Sequence, residues 1–369
     1  MRLNILSDFF QPTGYACHAR NFASALYKIN KEISVETQAP QNWQQLVTPE
    51  ERIMLENDYK KDVNISITTP PNWPLKSADR PKKHIGFGVF EGDRIPTGFI
   101  EPANSADELF VPSKHVYDAF KPFVDKKISI VPEGVDLNVY KEVHTFHPQM
   151  EDFNHGGGSN PNMFTFMWNK GWAQGVRDRS GFDVAIKAFC EEFTKKDDVR
   201  FMAHINPAYN HPNWRIDGEI SLLNLPPAET RPPILVMVND LPSALINQFY
   251  NFGDVYVSTS KAEGFCLPIL ESFAVGKPTI TTNYGGQLDF CNSKNSWLVD
   301  GEMKPACDQN IQFEETKWCY PSIENVRKAM REAYENRELV KKKGLEARKT
   351  AERFTWENAA KVALKLIDS

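Results

Sequence analysis

The chain has 369 residues, 41% of them hydrophobic and 25% charged, with a formal net charge of −5. That length exceeds one ordinary core and predicts two domains, and the composition is that of a globular protein rather than a disordered or fibrous one. The negative charge gives no support to a grip on a nucleic-acid backbone, and no apolar run is long enough to span a bilayer, although contact with a membrane surface stays open.

The first residues, RLNILSD (2–8), predict a strand. They lack the apolar core and small-residue cleavage site of a secretion signal, which predicts a cytoplasmic protein. Six cysteines, with no C-x-x-C pair and no histidine cluster beside them, argue against a disulfide frame or zinc site and fit a reducing compartment. A loop with Gly14 follows, and then a helix over 15–29. Gly14 brings backbone N–H groups toward an anion at that helix start. His18 and Arg20 lie early in the helix, where exposure toward a ligand and simple packing are both open. Further strands are predicted at 63–69, 84–90, 107–113 and 127–133, with a helix at 114–122. Glu91 follows the 84–90 strand. Residues 86–88 read G-x-G but lack the spacing and position of a dinucleotide fingerprint.

The segment 144–162, HTFHPQMEDFNHGGGSNPN, has few apolar anchors and a glycine run, as linkers do. It divides the chain into an N-terminal domain over 1–145, a linker over 146–162, a C-terminal domain over 163–352 and a closing helical segment over 353–369 that packs back on the first domain. Strands are predicted in the second half at 163–168, 199–205, 234–238, 254–260 and 278–282, with helices at 181–195, 241–251, 268–275 and 355–367. Strand–helix alternation implies parallel sheets covered on both faces, with ligands at the carboxyl ends of the strands.

One run tests that rule. KAEGFCLPILESFAVGKP (261–278) places Glu263 and Glu271 on either side of an apolar stretch, directly after a strand. Pro268 suits the first helical turn, and Gly276 with Pro278 reads as a helix stop. The helix then covers 268–275 with Glu271 in its first turn. Gly264 lets the chain pass close to a ligand, and the N–H groups around Phe265, Cys266, Leu267 and Ile269 make an anion site. A diphosphate over the helix start leaves Glu271 for the hydroxyls of a ribose and Glu263 for those of a sugar beyond the phosphates.

The run EGFCLPILE resembles the E-x7-E signature of retaining glycosyltransferases of family 4. GKPTITTNYGGQLDF, ISIVPEGVDLNVY, FEGDRIP, DRSGFDVAIKAF and ERFTWENAA resemble further segments of that family, in its order. The resemblance implies the α/β GT-B fold, two Rossmann-like parallel-sheet domains facing across a cleft. It implies a retaining transfer from a nucleoside-diphosphate sugar to a hydroxyl of a glycan or glycoconjugate, with neither cofactor nor metal. It assigns the diphosphate to basic residues after the first strand of the second domain, where MWNKGWAQGVRDRSGFD offers Lys170, Arg177 and Arg179. Lys170 and Arg179 are favoured, and a surface ion pair of Arg177 with Asp178 or Asp183 stays open. The family's usual lysine falls on Ser180. The resemblance also places Glu91 at an acidic position that orients the acceptor and Asn239 beside the nucleobase through its backbone; Gly285 and Gly286, after the next strand, and His18, early in its helix, are acceptor-side candidates. A sugar-nucleotide epimerase, a phosphorylase and a non-catalytic nucleotide-sugar-binding protein are alternatives on this scaffold, and a lysine site for pyridoxal phosphate is not recognisable.

Overall fold

A computed structural model describes residues 1–369 apart from 59–60, 74–80, 157–159, 161, 210–213 and 309–310. The chain divides into two compact units. The first comprises Met1–Asp136, Glu314–Thr316 and Phe354–Ser369, and the second Leu137–Phe313 and Lys317–Arg353. The division thus falls earlier in the chain than residue 145.

The first unit contains β1 (Leu3–Ser7), α1 (Gly14–Ile29), β2 (Ile33–Glu36), α2 (Pro49–Glu56), β3 (Val63–Ile67), β4 (Lys83–Phe87), α3 (Thr97–Ser105), β5 (Glu108–Val111), α4 (Lys114–Phe120) and β6 (Lys127–Ile130). Its strands form one parallel sheet in the order β2-β1-β3-β4-β5-β6. All five residues of β3 are buried although two are polar. A cross-strand ladder satisfies them: Ser34 donates to Asn4 Oδ1 at 2.9 Å, Asn4 to Asn64 Oδ1 at 2.6 Å, and Asn64 to Ser66 Oγ at 3.0 Å.

The second unit contains α5 (Pro148–Asn154), β7 (Phe164–Gly171), α6 (Phe182–Glu192), β8 (Val199–Asn206), α7 (Ile216–Ser221), β9 (Ile234–Val238), α8 (Ser243–Asn251), β10 (Val255–Ser258), α9 (Leu267–Ala274), β11 (Thr279–Thr282), β12 (Ser296–Val299), β13 (Gly301–Pro305), β14 (Lys317–Pro321), α10 (Ile323–Glu335) and α11 (Arg337–Ala351). A parallel sheet runs β12-β11-β10-β7-β8-β9, and β13 pairs with β14 as an antiparallel ribbon. Residues Phe164–Trp168 and Val199–Ala203, apolar except for Thr165 and Arg200, are buried on both faces, as strands of a covered parallel sheet must be. They pack with Phe182, Phe189 and Phe193 into the core of this unit.

The closing helix α12 (Trp356–Ile367) groups with the first unit and packs on α1. Thr355 caps it by accepting from the Asn358 N–H at 3.2 Å. The Val135 N–H bonds the Phe354 carbonyl at 3.0 Å. A Cβ on Gly134 would lie 2.2 Å from the Trp356 nitrogen, so the backbones meet there at glycine distance.

The strands expected from sequence are present; most are shorter, but β7 and β8 run further, to Gly171 and Asn206, and β9 has the expected bounds. The segment read as a linker contains α5, whose anchor is Arg200: its guanidinium donates to the Asn154 carbonyl and side chain at 2.6 Å each. Gly157, Gly158 and Pro161, which carried the linker reading, lie outside the described residues. The short elements β2, α2, α3, α7, β12 and the β13–β14 ribbon were not expected.

Candidate active site

Because β10 pairs with β7, the loops after these two strands are neighbours. Lys170, next to last in β7, therefore meets Ser258 at the end of β10 and the loop that follows. Its ammonium donates to Ser258 Oγ at 2.8 Å, Ser260 Oγ at 2.6 Å and Glu263 Oε1 at 2.7 Å, with Cys266 Sγ at 3.2 Å. Arg179 reaches the other carboxylate oxygen, Glu263 Oε2, at 2.9 Å and the Ala262 carbonyl at 2.7 Å. Both oxygens of Glu263 are thus held by cations. Burial pushes its carboxyl up, but the charges of Lys170 and Arg179 outweigh burial and hold it at about 2. Burial alone would lower the Lys170 ammonium; the Cys266 sulfur and Glu263 hold it above its ordinary value. Lys170 is 7% exposed and Arg179 28%, so Arg179 is the more accessible cation.

The loop between β7 and α6 is folded on itself rather than extended. Asp178 accepts from the Ala173 and Gln174 N–H groups at 2.7 and 3.2 Å and from the Ser180 hydroxyl at 2.5 Å. The buried Lys261 ammonium donates to the Val176 and Asp178 carbonyls at 2.7 and 2.8 Å. Ser180 serves this turn through its hydroxyl and N–H, both on Asp178. Gly181 has φ +73°, and a Cβ there would lie 2.0 Å from the Thr259 carbonyl oxygen. Arg177 is exposed and makes no ion pair among the described residues, so the expected alternative of a bridge to Asp178 or Asp183 is not formed.

Helix α9 begins at Leu267 with Pro268 in its first turn and no side chain capping its N-terminus. Two expectations are corrected here. No acidic residue lies in the first turn, so Glu271 sits one turn further in. The Ile269 N–H is not free, because it bonds the Cys266 carbonyl at 3.2 Å. Cys266 holds φ +80°, a left-handed conformation that a side chain rarely adopts. Its thiol is pushed up to about 11 by burial, against the pull of Lys170. Phe265 packs on Phe290 at 5.1 Å between ring centres. At the other end of the helix α11 approaches closely, a Cβ on Gly344 lying 2.3 Å from the Gly276 carbonyl oxygen, and Arg348 donates to the Ala274 carbonyl. Gly285, with φ +106°, sits against the Glu263 backbone, and the Gly286 N–H donates to the Glu263 carbonyl at 2.8 Å.

Glu271 accepts from the Tyr250 hydroxyl at 2.9 Å and also from Tyr140. Burial raises its carboxyl, and these two hydroxyls oppose the rise. Asn239 follows β9, and its carbonyl accepts from His204 at 2.9 Å. In the first unit, α1 starts at Gly14, and Thr13 caps it by accepting from the Ala16 N–H at 3.3 Å. Glu91 follows β4, with His115 Nε2 3.3 Å from its carbonyl. His18 is a correction. It is 1% exposed, 3.1 Å from Glu133, and enclosed by Phe22, Phe87 and Trp356, which leaves its ring no surface for an acceptor. Sequence reasoning missed Ser258, Ser260 and Lys261, at and just after the end of β10, Asn169 and His204 near the carboxyl ends of β7 and β8, and Tyr250 on α8, which carries no signal.

Residues 235–350 match the family described as glycosyl transferases group 1. The match spans Glu263, Cys266 and Glu271, and it supports glycosyltransferase activity. No curated protein matches the chain. Among solved structures, a glycosyltransferase from Rickettsia africae aligns with TM-score 0.69 at 17% identity, covering 99% of this chain and 97% of its own. HepE from Anabaena, in complex with UDP and glucose, aligns with TM-score 0.67 at 15% identity over 100% of both chains. Sucrose-phosphate synthase from Thermosynechococcus elongatus aligns with TM-score 0.67 at 13% identity, covering 100% of this chain and 98% of its own. At these identities the likeness establishes the two-domain α/β fold of GT-B glycosyltransferases.

Proposed function

We propose that the chain is a retaining, metal-independent glycosyltransferase that moves a sugar from a nucleoside-diphosphate sugar to a hydroxyl of a glycan or glycoconjugate. The observation that carries this reading is the clamp of Lys170 and Arg179 on Glu263 beside the uncapped start of α9. Two fixed cations and a helix N-terminus supply the positive potential that a departing diphosphate needs. Arg179, the accessible cation, takes the phosphates first, and Lys170 supports it from below. Glu263 has a double role: it holds both cations in register and presents its remaining lone pairs to the transferred sugar. The backbone of Gly264, Phe265, Cys266 and Leu267 lines the phosphate side, and Glu271 accepts from the ribose hydroxyls. The backbone at Gly14, at the start of α1, contributes on the donor side, Glu91 orients the acceptor, and Gly285 and Gly286 fix the acceptor-side turn through the Glu263 backbone. The acceptor oxygen bonds to the anomeric carbon on the face from which the phosphate leaves, and the leaving phosphate oxygen takes the acceptor's proton. No protein nucleophile is required.

The test is incubation with UDP-, GDP- and ADP-sugars and a glycan acceptor panel. Transfer with retained anomeric configuration, at full rate in EDTA, is expected. Isomerised donor, binding without turnover, or a loss in EDTA that Mg²⁺ restores would overturn it. Glu263→Ala and Glu271→Ala should each lower turnover by about 10²-fold or more, as loss of a well-placed polar group does.

A further inference from the structure

Asn169 on β7 pairs in register with His204 on β8. From this cross-strand pair a line of hydrogen bonds runs both ways. On one side, His204 Nε2 lies 2.9 Å from the Asn239 carbonyl, in the turn after β9. On the other, His204 Nδ1 lies 2.7 Å from Asn169 Oδ1, Asn169 Nδ2 donates to the Tyr250 hydroxyl at 2.8 Å, and Tyr250 donates to Glu271 Oε2 at 2.9 Å. The three middle members are buried, at 6%, 1% and 0% exposure for Asn169, His204 and Tyr250. Burying three polar side chains is costly unless every group is paired, and here each is.

The protons can be counted along the line. A carbonyl only accepts, so Nε2 carries a proton. An ionised Glu271 only accepts, so Tyr250 gives it the hydroxyl proton and uses its oxygen to accept from Asn169 Nδ2. Asn169 then turns Oδ1 to the ring, Nδ1 must donate as well, and this arrangement pairs an ionised Glu271 with a protonated His204 ring. With a neutral ring, Nδ1 accepts from the turned Asn169 amide, Tyr250 donates to Asn169 Oδ1, and only a protonated Glu271 can then bond the Tyr250 oxygen. Burial opposes charge at both ends, pushing the Glu271 carboxyl up and the His204 imidazole down. The titratable groups that face these ends are Tyr140, Tyr250 and Tyr256 at Glu271 and Asp240 at His204. Two hydroxyls of a ribose, donating to Glu271, would favour the ionised arrangement.

We propose that Tyr250, Asn169 and His204 are positioning residues for nucleoside recognition, joining the ribose-binding carboxylate of Glu271 to the backbone carbonyl of Asn239 in one rigid buried chain. The proposal rests on the reading of Glu271 as the ribose acceptor. Neither Asn169 nor His204 lies within the segment matched to the glycosyltransferase family. The roles of the three come from their placement at the carboxyl ends of β7 and β8 and on α8, not from the E-x7-E run.

The test is a cycle between protein and ligand. Affinities of uridine, guanosine and adenosine diphosphates and of their 2′,3′-dideoxy analogues are measured by calorimetry on the full chain and on Tyr250→Phe, with Asn169→Leu as a second variant. Wild-type protein should prefer the ribose form of its diphosphate by about tenfold or more, the worth of a hydrogen bond to a charged group. In either variant the preference should fall to about threefold or less, with dideoxy affinity unchanged. A variant that keeps the full preference, or that weakens both ligands equally, overturns the positioning role. A wild-type protein that binds a diphosphate without any preference for ribose removes the Glu271 reading itself, and the relay with it.

Discussion

The pairing of Lys170 with Glu263 gives a quantitative expectation. A carboxyl held at about 2, against an ordinary value of 4.5, favours the ionised form by about 3 kcal/mol. Glu263→Gln keeps the side chain's size but leaves the Lys170 ammonium, 7% exposed, without its counter-charge. Glu263→Gln should destabilise the protein by about 3 kcal/mol, because the ammonium left behind is buried, whereas Lys170→Met leaves Glu263 to Arg179 and should cost less. The double variant removes both charges and should cost no more than either single one. Arg179→Met should cost less than Lys170→Met, since 28% exposure lets water screen its partner. The assay is denaturant unfolding followed by tryptophan fluorescence, with Trp168 and Trp172 reporting from the core of the second unit. The sign with pH is fixed. A depressed carboxyl contributes stability above 4.5 that is lost as pH falls through about 2, and that loss should be missing in Glu263→Gln. Additive single costs would refute the argument, because they would show that the two groups do not stabilise each other.

Other expectations concern the same loops. In its proposed role Glu271 must be ionised to accept two ribose hydroxyls, and burial raises its carboxyl above the ordinary 4.5. Nucleoside-diphosphate affinity should therefore weaken as pH falls through that raised value, about tenfold per unit below it, and calorimetry on Glu271→Gln should show weak binding without this dependence. A raised carboxyl also means that wild-type stability relative to Glu271→Gln declines as pH rises through the same range. Cys266, at φ +80°, should accept glycine at a cost under about 1 kcal/mol, because relief of backbone strain offsets the lost thiol, whereas Cys266→Val should cost more than about 2 kcal/mol in thermal unfolding. Gly181→Ala would put a methyl 2.0 Å from the Thr259 oxygen and should destabilise by more than about 2 kcal/mol while displacing Arg179 and lowering turnover.

Much of this arrangement can be read from the chain alone. Apolar runs such as MFTFMW and VRFMAHI identify buried strands because a strand covered on both faces needs apolar residues on both. Pro268 and Gly276 bracket α9 because proline fits a helix start and glycine the left-handed turn after a helix. The glutamates at 263 and 271 follow a strand, and parallel sheets put ligands there. Short elements were not legible: α5, α7 and the β13–β14 ribbon are held by contacts such as Arg200 with Asn154, which local periodicity does not encode.

What needed the tertiary structure is the partner of each charged or polar group. Lys170 lies 93 positions before the carboxylate it clamps, and the pairing of β7 with β10 brings them together. His204 meets Asn169 through strand register, and Tyr250 reaches Glu271 through the packing of α8 against the sheet. A residue's type and local spacing fix its own preferences, whereas hydrogen-bond partners and proton affinity depend on which distant groups the sheet order makes adjacent and on how much water their packing removes.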